Sequence, residues 1–226
     1  GYGTGLGEAE TLENLDIMAT ELRDWGIDWF QFDDGYEPHY GDWYEWVEEK
    51  FPSGPEGLSQ AIRDRGLKPG LWMAPFSPSV DSDLYADHPD WFVDPVALGV
   101  PITAGYGILD LSHPEVHEYL HELFTTFTEE WGFEWLKLDF GYYAMFGQDF
   151  YESDYTREEA WRSSMQVIRD ALGEEAFFLI IGQMGVNYGL ADGGRLTLDT
   201  MPVWDHEPGQ TMMMEEAGLK LSRIHN

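Results

Sequence analysis

The sequence predicts an α/β fold, an incomplete (β/α)8 TIM barrel in which about strands 2 to 6 are present. Three observations predict it. An amphipathic helix, a glycine stop and a short apolar strand recur along the 226 residues, which implies parallel strands joined by right-handed crossovers. Polar residues close strand after strand, at the end where a parallel barrel keeps its chemistry. No glycine-rich phosphate loop follows any strand, and the glycine-rich stretch 1–7 has no strand before it, so a doubly wound nucleotide-binding sheet fits less well. A full barrel needs about 250 residues and eight strands. The expectation is therefore one partial barrel domain over residues 1–226, lacking the first strand and the last two.

Each element has a local reason. Leu12, Leu15, Met18, Leu22 and Trp25 share one face of a helix over 8–25, Gly26 stops it, and 27–33 reads as a strand. A shorter helix over 55–65 ends at Gly66, and 67–76 reads as the next strand. Ser112 caps a third helix with Pro114 in its first turn. That helix carries Val116, Tyr119, Leu120, Leu123, Phe127 and Trp131 and stops at Gly132, before a strand over 133–140. Thr156 and Glu159 form a capping-box pair. The helix they open carries Trp161, Met165, Ile168 and Leu172, ends at Gly173, and is followed by a strand over 176–182. A last strand is expected over 195–199 and a last helix over 210–221.

Composition narrows the function. The chain is 43% hydrophobic and 15% aromatic, yet carries 43 acidic against 12 basic residues, a net charge of −31. Such a chain repels nucleic acid and anionic membranes. An acidic surface with four lysines, on an ordinary core, is expected of a halophile. There are no cysteines, so disulfide and thiol chemistry are excluded. No apolar run is long enough to span a membrane. No signal-peptide pattern is visible, which favours the cytoplasm; the chain starts at Gly1 without methionine, and its natural N-terminus is expected upstream.

Trp135-Leu136-Lys137-Leu138-Asp139-Phe140 is the most informative stretch. Side chains two apart on a strand share a face, so Lys137 and Asp139 project together. The pair admits three readings: an internal salt bridge, an imine-forming lysine, or a carboxylate nucleophile kept ionised by a cation. Gln31, Asp33 and Asp34 close an earlier strand, where the acidic doublet before Gly35 is either a turn signal or a binding pair. Trp72 lies inside the second strand, Gln183 follows the fourth, and Arg195 and Asp199 bound the last. No His or Cys cluster accompanies them, so zinc is not expected. Two carboxylates from different strand ends are the minimum for glycoside hydrolysis, one attacking or activating water and one protonating the leaving oxygen. Asp199, among Leu196, Leu198, Met201 and Trp204, has an apolar setting suited to the acid. The segments 34–55 and 77–112 are long for βα loops and rich in aromatics, among them Tyr36, Tyr40, Trp43, Tyr44 and Trp46. Such rings either stack on sugars or pack the loops down.

These motifs together resemble glycoside hydrolase family 36, the α-galactosidases (melibiase-like), in its archaeal and thermophile-like branch. Phe30-Gln31-Phe32-Asp33-Asp34-Gly35-Tyr36 and Gly41-Asp42-Trp43 resemble the family's substrate-binding doublet and aromatic loop. Gly70-Leu71-Trp72-Met73-Ala74-Pro75-Phe76 and His88-Pro89-Asp90-Trp91 resemble its next strand and excursion. Leu136-Lys137-Leu138-Asp139 resembles the nucleophile strand, and Asp192-Gly193-Gly194-Arg195 with Asp199-Thr200 the acid/base segment. The resemblance implies retaining hydrolysis of terminal α-galactosyl residues, with Asp139 as nucleophile and Asp199 as acid/base. It implies that Asp33, Asp34, Trp72, Lys137 and Arg195, with Trp43 and Gln183, bind a small sugar substrate. It implies no cofactor and no metal. Ile180-Ile181 stands where relatives often place a cysteine, and the family's flanking β-domains are expected to be absent. Glycosyl transfer of the raffinose-synthase kind, a Schiff-base lyase through Lys137, and a non-catalytic sugar-binding protein are the alternatives.

Overall fold

The computed structural model describes residues 5–95, 105–182 and 184–195. Five strands, β1 (Trp29–Phe32), β2 (Lys68–Met73), β3 (Trp135–Leu138), β4 (Phe177–Ile181) and β5 (Gly193–Arg195), form one parallel sheet in the order β1-β2-β3-β4-β5. The helices are α1 (Glu8–Ile17), α2 (Gly54–Asp64), the one-turn α3 (Asp83–Asp87), α4 (Pro114–Thr125) and α5 (Arg157–Leu172). A sheet whose spatial order equals its chain order, with helices between the strands, is the curvature of a partial barrel.

The two faces of the sheet differ as strand alternation requires. Leu71, Met73, Leu136, Leu138, Phe178 and Ile180 are fully buried against the helices. The alternate residues Gln31, Trp135, Lys137, Leu179 and Arg195 face the other way and are only half-buried. Near the strand starts, Trp29, Trp135 and Phe177 form an edge-to-face aromatic cluster with centroids 5.8–6.3 Å apart. Apolar rings thus fill the lower inward face, and the polar residues stand above them.

The expected glycine stops at Gly26, Gly66, Gly132 and Gly173 all adopt positive φ, between 72° and 84°. At Gly26 this is the left-handed turn that lets a last helical carbonyl find a partner, the Gly26 N–H donating to the Arg23 carbonyl. The Thr156/Glu159 capping box is present, with both reciprocal bonds made. Three expectations are corrected. The third helix is capped by His113, whose Nδ1 accepts from Glu115 N at 3.2 Å; Ser112 instead donates its Oγ to Asp110 at 2.7 Å. The first helix winds from α into a π turn over Met18–Leu22 and a 3-10 turn over Arg23–Trp25. Its 3.6-residue spacing fails there, and Trp25 turns outward, 83% exposed. Finally, β5 starts at Gly193, two residues before the expected strand. The rest of that strand, 196–199, and the expected helix over 210–221 lie outside the described residues.

The turn after β3 is set by a close approach. Gly141 lies against the fully buried Trp161 of α5, and a Cβ added there would fall 2.4 Å from the Trp161 ring. Trp161 cannot easily retreat, because its Nε1 donates to Asn187 Oδ1 at 2.6 Å. Gly141→Ala is therefore expected to destabilise the fold by about 1–3 kcal/mol, read as a lower urea midpoint. An unchanged midpoint would show that Trp161 has room to move.

Candidate active site

The parallel register brings the polar residues to one level. Trp72 pairs with Lys137, Lys137 with Leu179, and Leu179 with Gly193, so Trp72 and Lys137 stand side by side on the inward face. Asp33 and Asp34 follow the end of β1, and Asp139 follows the end of β3. All are at the C-terminal edge of the sheet.

Of the three readings of Lys137 and Asp139, the internal salt bridge between them is not formed. Lys137 Nζ reaches across β2 to Asp33 Oδ2 at 2.6 Å. The reason is geometric: Asp139 lies beyond the end of β3, and its carboxylate is held by other donors. Trp72 Nε1 donates to Asp139 Oδ2 at 3.1 Å, and Phe140 N donates to Oδ1 at 2.8 Å. Phe140 itself sits in the left-handed region, at φ 49°. A non-glycine residue there costs roughly 1–3 kcal/mol, a kind of strain that clusters at functional turns. The Phe140 ring is packed 6.2 Å from both Trp72 and Tyr40.

Asp33 also accepts from Gln31 Nε2 at 3.2 Å and from Asp34 N at 3.1 Å. Partial burial pushes its carboxyl up, but the Lys137 bond and charge, with these two further donors, outweigh it and hold the pKa below the ordinary aspartate value. Asp34 Oδ2 accepts from Tyr40 OH at 2.8 Å. Burial first, and then the bond to Asp34 and its charge, push the Tyr40 phenol far up, so it stays a donor. Tyr36, fully buried, donates to the Trp72 carbonyl at 3.1 Å and ties the β1 loop to β2.

The other expected site residues divide. Trp72 is buried, and only its indole N–H engages the site. Trp43 is fully buried, 5.9 Å from Tyr40 in a stacked pair and 6.1 Å edge-on to Trp72. It supports the site residues from behind and does not line the cleft. Arg195 ends β5, in register with Ile181 and half-buried. Gln183 and Asp199 lie outside the described residues. Three residues at the site were not anticipated: Gln31 as a partner of Asp33, Tyr40 as the donor to Asp34, and Glu37, buried beside Asp34. The signal for Glu37 was available in Asp34-Gly35-Tyr36-Glu37, where a second carboxyl follows the first by three residues among apolar rings. A cavity of about 350 Å³ opens beside this group, lined by Asp34, Glu37, Tyr40, Lys50 and Tyr106 among others. Among the described residues, no group of three or more His, Asp or Glu is arranged to hold a metal.

Carboxylates and an ion-paired lysine thus gather at the C-terminal edge of a parallel partial barrel, walled by aromatic rings, the edge where barrels of this class carry their chemistry. The comparisons carry this to a family. The Melibiase family model matches residues 8–170, and the chain belongs to that family. An α-galactosidase structure from Thermus thermophilus in complex with stachyose is similar over 95% of this chain and 45% of its own, with a TM-score of 0.77 and 34% identity. An α-galactosidase of Escherichia coli is 29% identical over 129 residues, 54% of this chain and 18% of its own length. α-Galactosidase 2 of Pediococcus pentosaceus is 35% identical over 113 residues, 49% of this chain and 15% of its own. The chain thus spans less than half the length of each.

The Lys137–Asp33 pair predicts a pH signature. Asp33 has a depressed folded-state pKa, so the stability it contributes is present above its unfolded pKa and is lost as pH falls through the folded value. Asp33 is about half exposed, so the effect is small. The melting-temperature gap between wild type and Lys137→Met is expected to narrow from about pH 7 to about pH 3. A gap that holds or widens toward low pH would remove the pair from the account.

Proposed function

We propose that this chain is part of the catalytic barrel of a retaining α-galactosidase, which releases terminal α-galactosyl residues through a covalent glycosyl-aspartate. The observation that carries the reading is Asp139, both of whose oxygens are held by N–H donors at the strand edge, beside a second carboxylate already neutralised by Lys137. A carboxylate so oriented has its attacking lone pairs fixed before the sugar arrives, which lowers the cost of reaching the transition state. Family membership supports the reaction class. The Thermus relative, similar over most of this chain, has been solved with stachyose and with p-nitrophenyl α-D-galactopyranoside, both of which carry α-galactosyl groups.

In this reading Asp33 and Asp34 accept hydrogen bonds from galactose hydroxyls. Lys137 and Arg195 donate to hydroxyls and balance the carboxylate charge. Asp139 attacks the anomeric carbon while Asp199 protonates the departing oxygen; Asp199 then takes a proton from the water that releases galactose. Retention of the anomeric configuration follows from the two displacements. Lys137 acts as a cation and donor held at 2.6 Å by Asp33, which favours this reading over an imine-forming lysine. Hydrolysis and glycosyl transfer share all of these steps and differ in the acceptor that meets the intermediate.

In the full-length protein, Asp139→Ala is expected to lower kcat/KM on an aryl α-galactoside by roughly 10³- to 10⁶-fold. The first sugar released by wild type is expected to be α-galactose by proton NMR. Activity that survives the substitution, or β-galactose as first product, would sink the mechanism. Trp72→Phe keeps an aromatic ring, though a smaller one, and removes the N–H given to Asp139. A hydrogen bond to a charged acceptor contributes about 1.5–3 kcal/mol, so kcat should fall about 10- to 100-fold. A variant with wild-type kcat would mean that the indole N–H does not orient Asp139.

A further inference from the structure

Glu37 is used by nothing described so far. The residue is 8% exposed, and among the described residues no donor reaches its buried Oε2. Its carboxyl is in hydrogen-bonding contact with the carboxyl of Asp34. Two carboxylates cannot hydrogen-bond without a proton between them, and burial makes a charged Glu37 costly even with the Gly35 and Glu37 backbone N–H groups donating to it. Both facts are met if Glu37 is the neutral partner. Asp34 is the more exposed of the two and already accepts from Tyr40 OH, so the negative charge rests on Asp34.

We propose that Glu37 is a positioning residue: it keeps a proton, donates it to Asp34, and so aims the Asp34 charge into the cleft where a sugar hydroxyl is bound. This rests on the reading of Asp34 as a hydroxyl-binding residue. With Tyr40 on one side and Glu37 on the other, Asp34 is held by two neutral donors. Neutral donors fix its direction without cancelling its charge, in contrast to the Lys137 ammonium on Asp33.

The arrangement carries its own pH limit. Burial first, and then the Asp34 contact, outweigh the Glu37 and Gly35 backbone N–H bonds and push the Glu37 pKa up to about 8. The groups around it are Asp34, Tyr36, His39, Tyr40 and Lys50 on its own loop and Tyr106 from the segment after β2. Lys50 turns its Nζ to the Gly35 carbonyl at 3.5 Å. Below about pH 8 the pair is neutral plus anion and stays closed. Above it both carboxyls are charged, repel, and Asp34 loses its aim. The loss is one of sugar binding.

The test uses the full-length protein and two readouts. Infrared spectra at neutral pH are expected to show a protonated-carboxyl band that is absent in Glu37→Gln and lost in wild type as the pH is raised. Galactose affinity, measured by calorimetry, is expected to weaken about fivefold or more in wild type between about pH 7 and pH 9.5. In Glu37→Gln, which keeps a neutral donor at any pH, that dependence should flatten. Asp34→Asn, which removes the anion that holds the proton, should shift the band to lower pH and serves if Glu37→Gln does not fold. No neutral-carboxyl band, or the same pH dependence in wild type and Glu37→Gln, overturns the proposal. A folded wild type that binds no galactose at any pH overturns the sugar-site reading and the positioning role with it, while the infrared band still reports whether the proton is shared.

Discussion

Lys137 reaching across β2 to Asp33 is the contact on which the site depends. The two residues are 104 apart in sequence; Asp33 follows β1 and Lys137 lies on β3, strands that are not hydrogen-bonded neighbours. The bond spans them only because three parallel strands hold their register: Gln31 beside Gly70, and Trp72 beside Lys137. A slip of one residue would turn Lys137 to the helix side, into the layer of Leu136, Leu138 and Phe178. The fully buried helix-side layer is therefore what fixes the charge geometry on the open face.

Around that pair the site separates two ways of holding a carboxylate. Asp33 is held by a cation, and Asp34 and Asp139 by neutral donors, Tyr40 OH, Trp72 Nε1 and a backbone N–H. In the proposed reaction the first compensates charge and the second keep it available to the sugar. The rings that surround the donors serve this purpose. Tyr40 packs against Trp43, Trp72, Tyr106 and Phe140, so the aromatic loops form one wall rather than separate platforms. The chain has 12 basic against 43 acidic side chains, so few cations are available to balance a carboxylate, and Lys137 is placed on Asp33.

Much of the fold was readable in the sequence because its signals are local. Glycine after each helix, the Thr156/Glu159 box and the apolar alternation of 135–138 each act within a few residues, and each is found where expected. The failures come from longer range. Trp25 follows the 3.6 period, but the helix changes pitch before reaching it. Lys137 and Asp139 share a strand face, yet the partner that the lysine finds follows another strand. Trp43 reads as a cleft aromatic from its loop, whereas packing turns it into support for Trp72. Glu37 escaped notice because an acidic residue in a loop is ordinarily solvated, and only the surrounding rings make it buried.

The account stands or falls on Asp139 as the atom donor that bonds to the sugar. The direct measurement is to treat the full-length protein with an activated fluorinated α-galactosyl donor that forms the intermediate faster than water removes it, and to map the added mass by tandem mass spectrometry. The account predicts one galactosyl equivalent on the peptide that contains residues 135–140, attached to Asp139. Label on Asp33 or Asp34, or turnover of the donor with inverted product and no label at all, would contradict it.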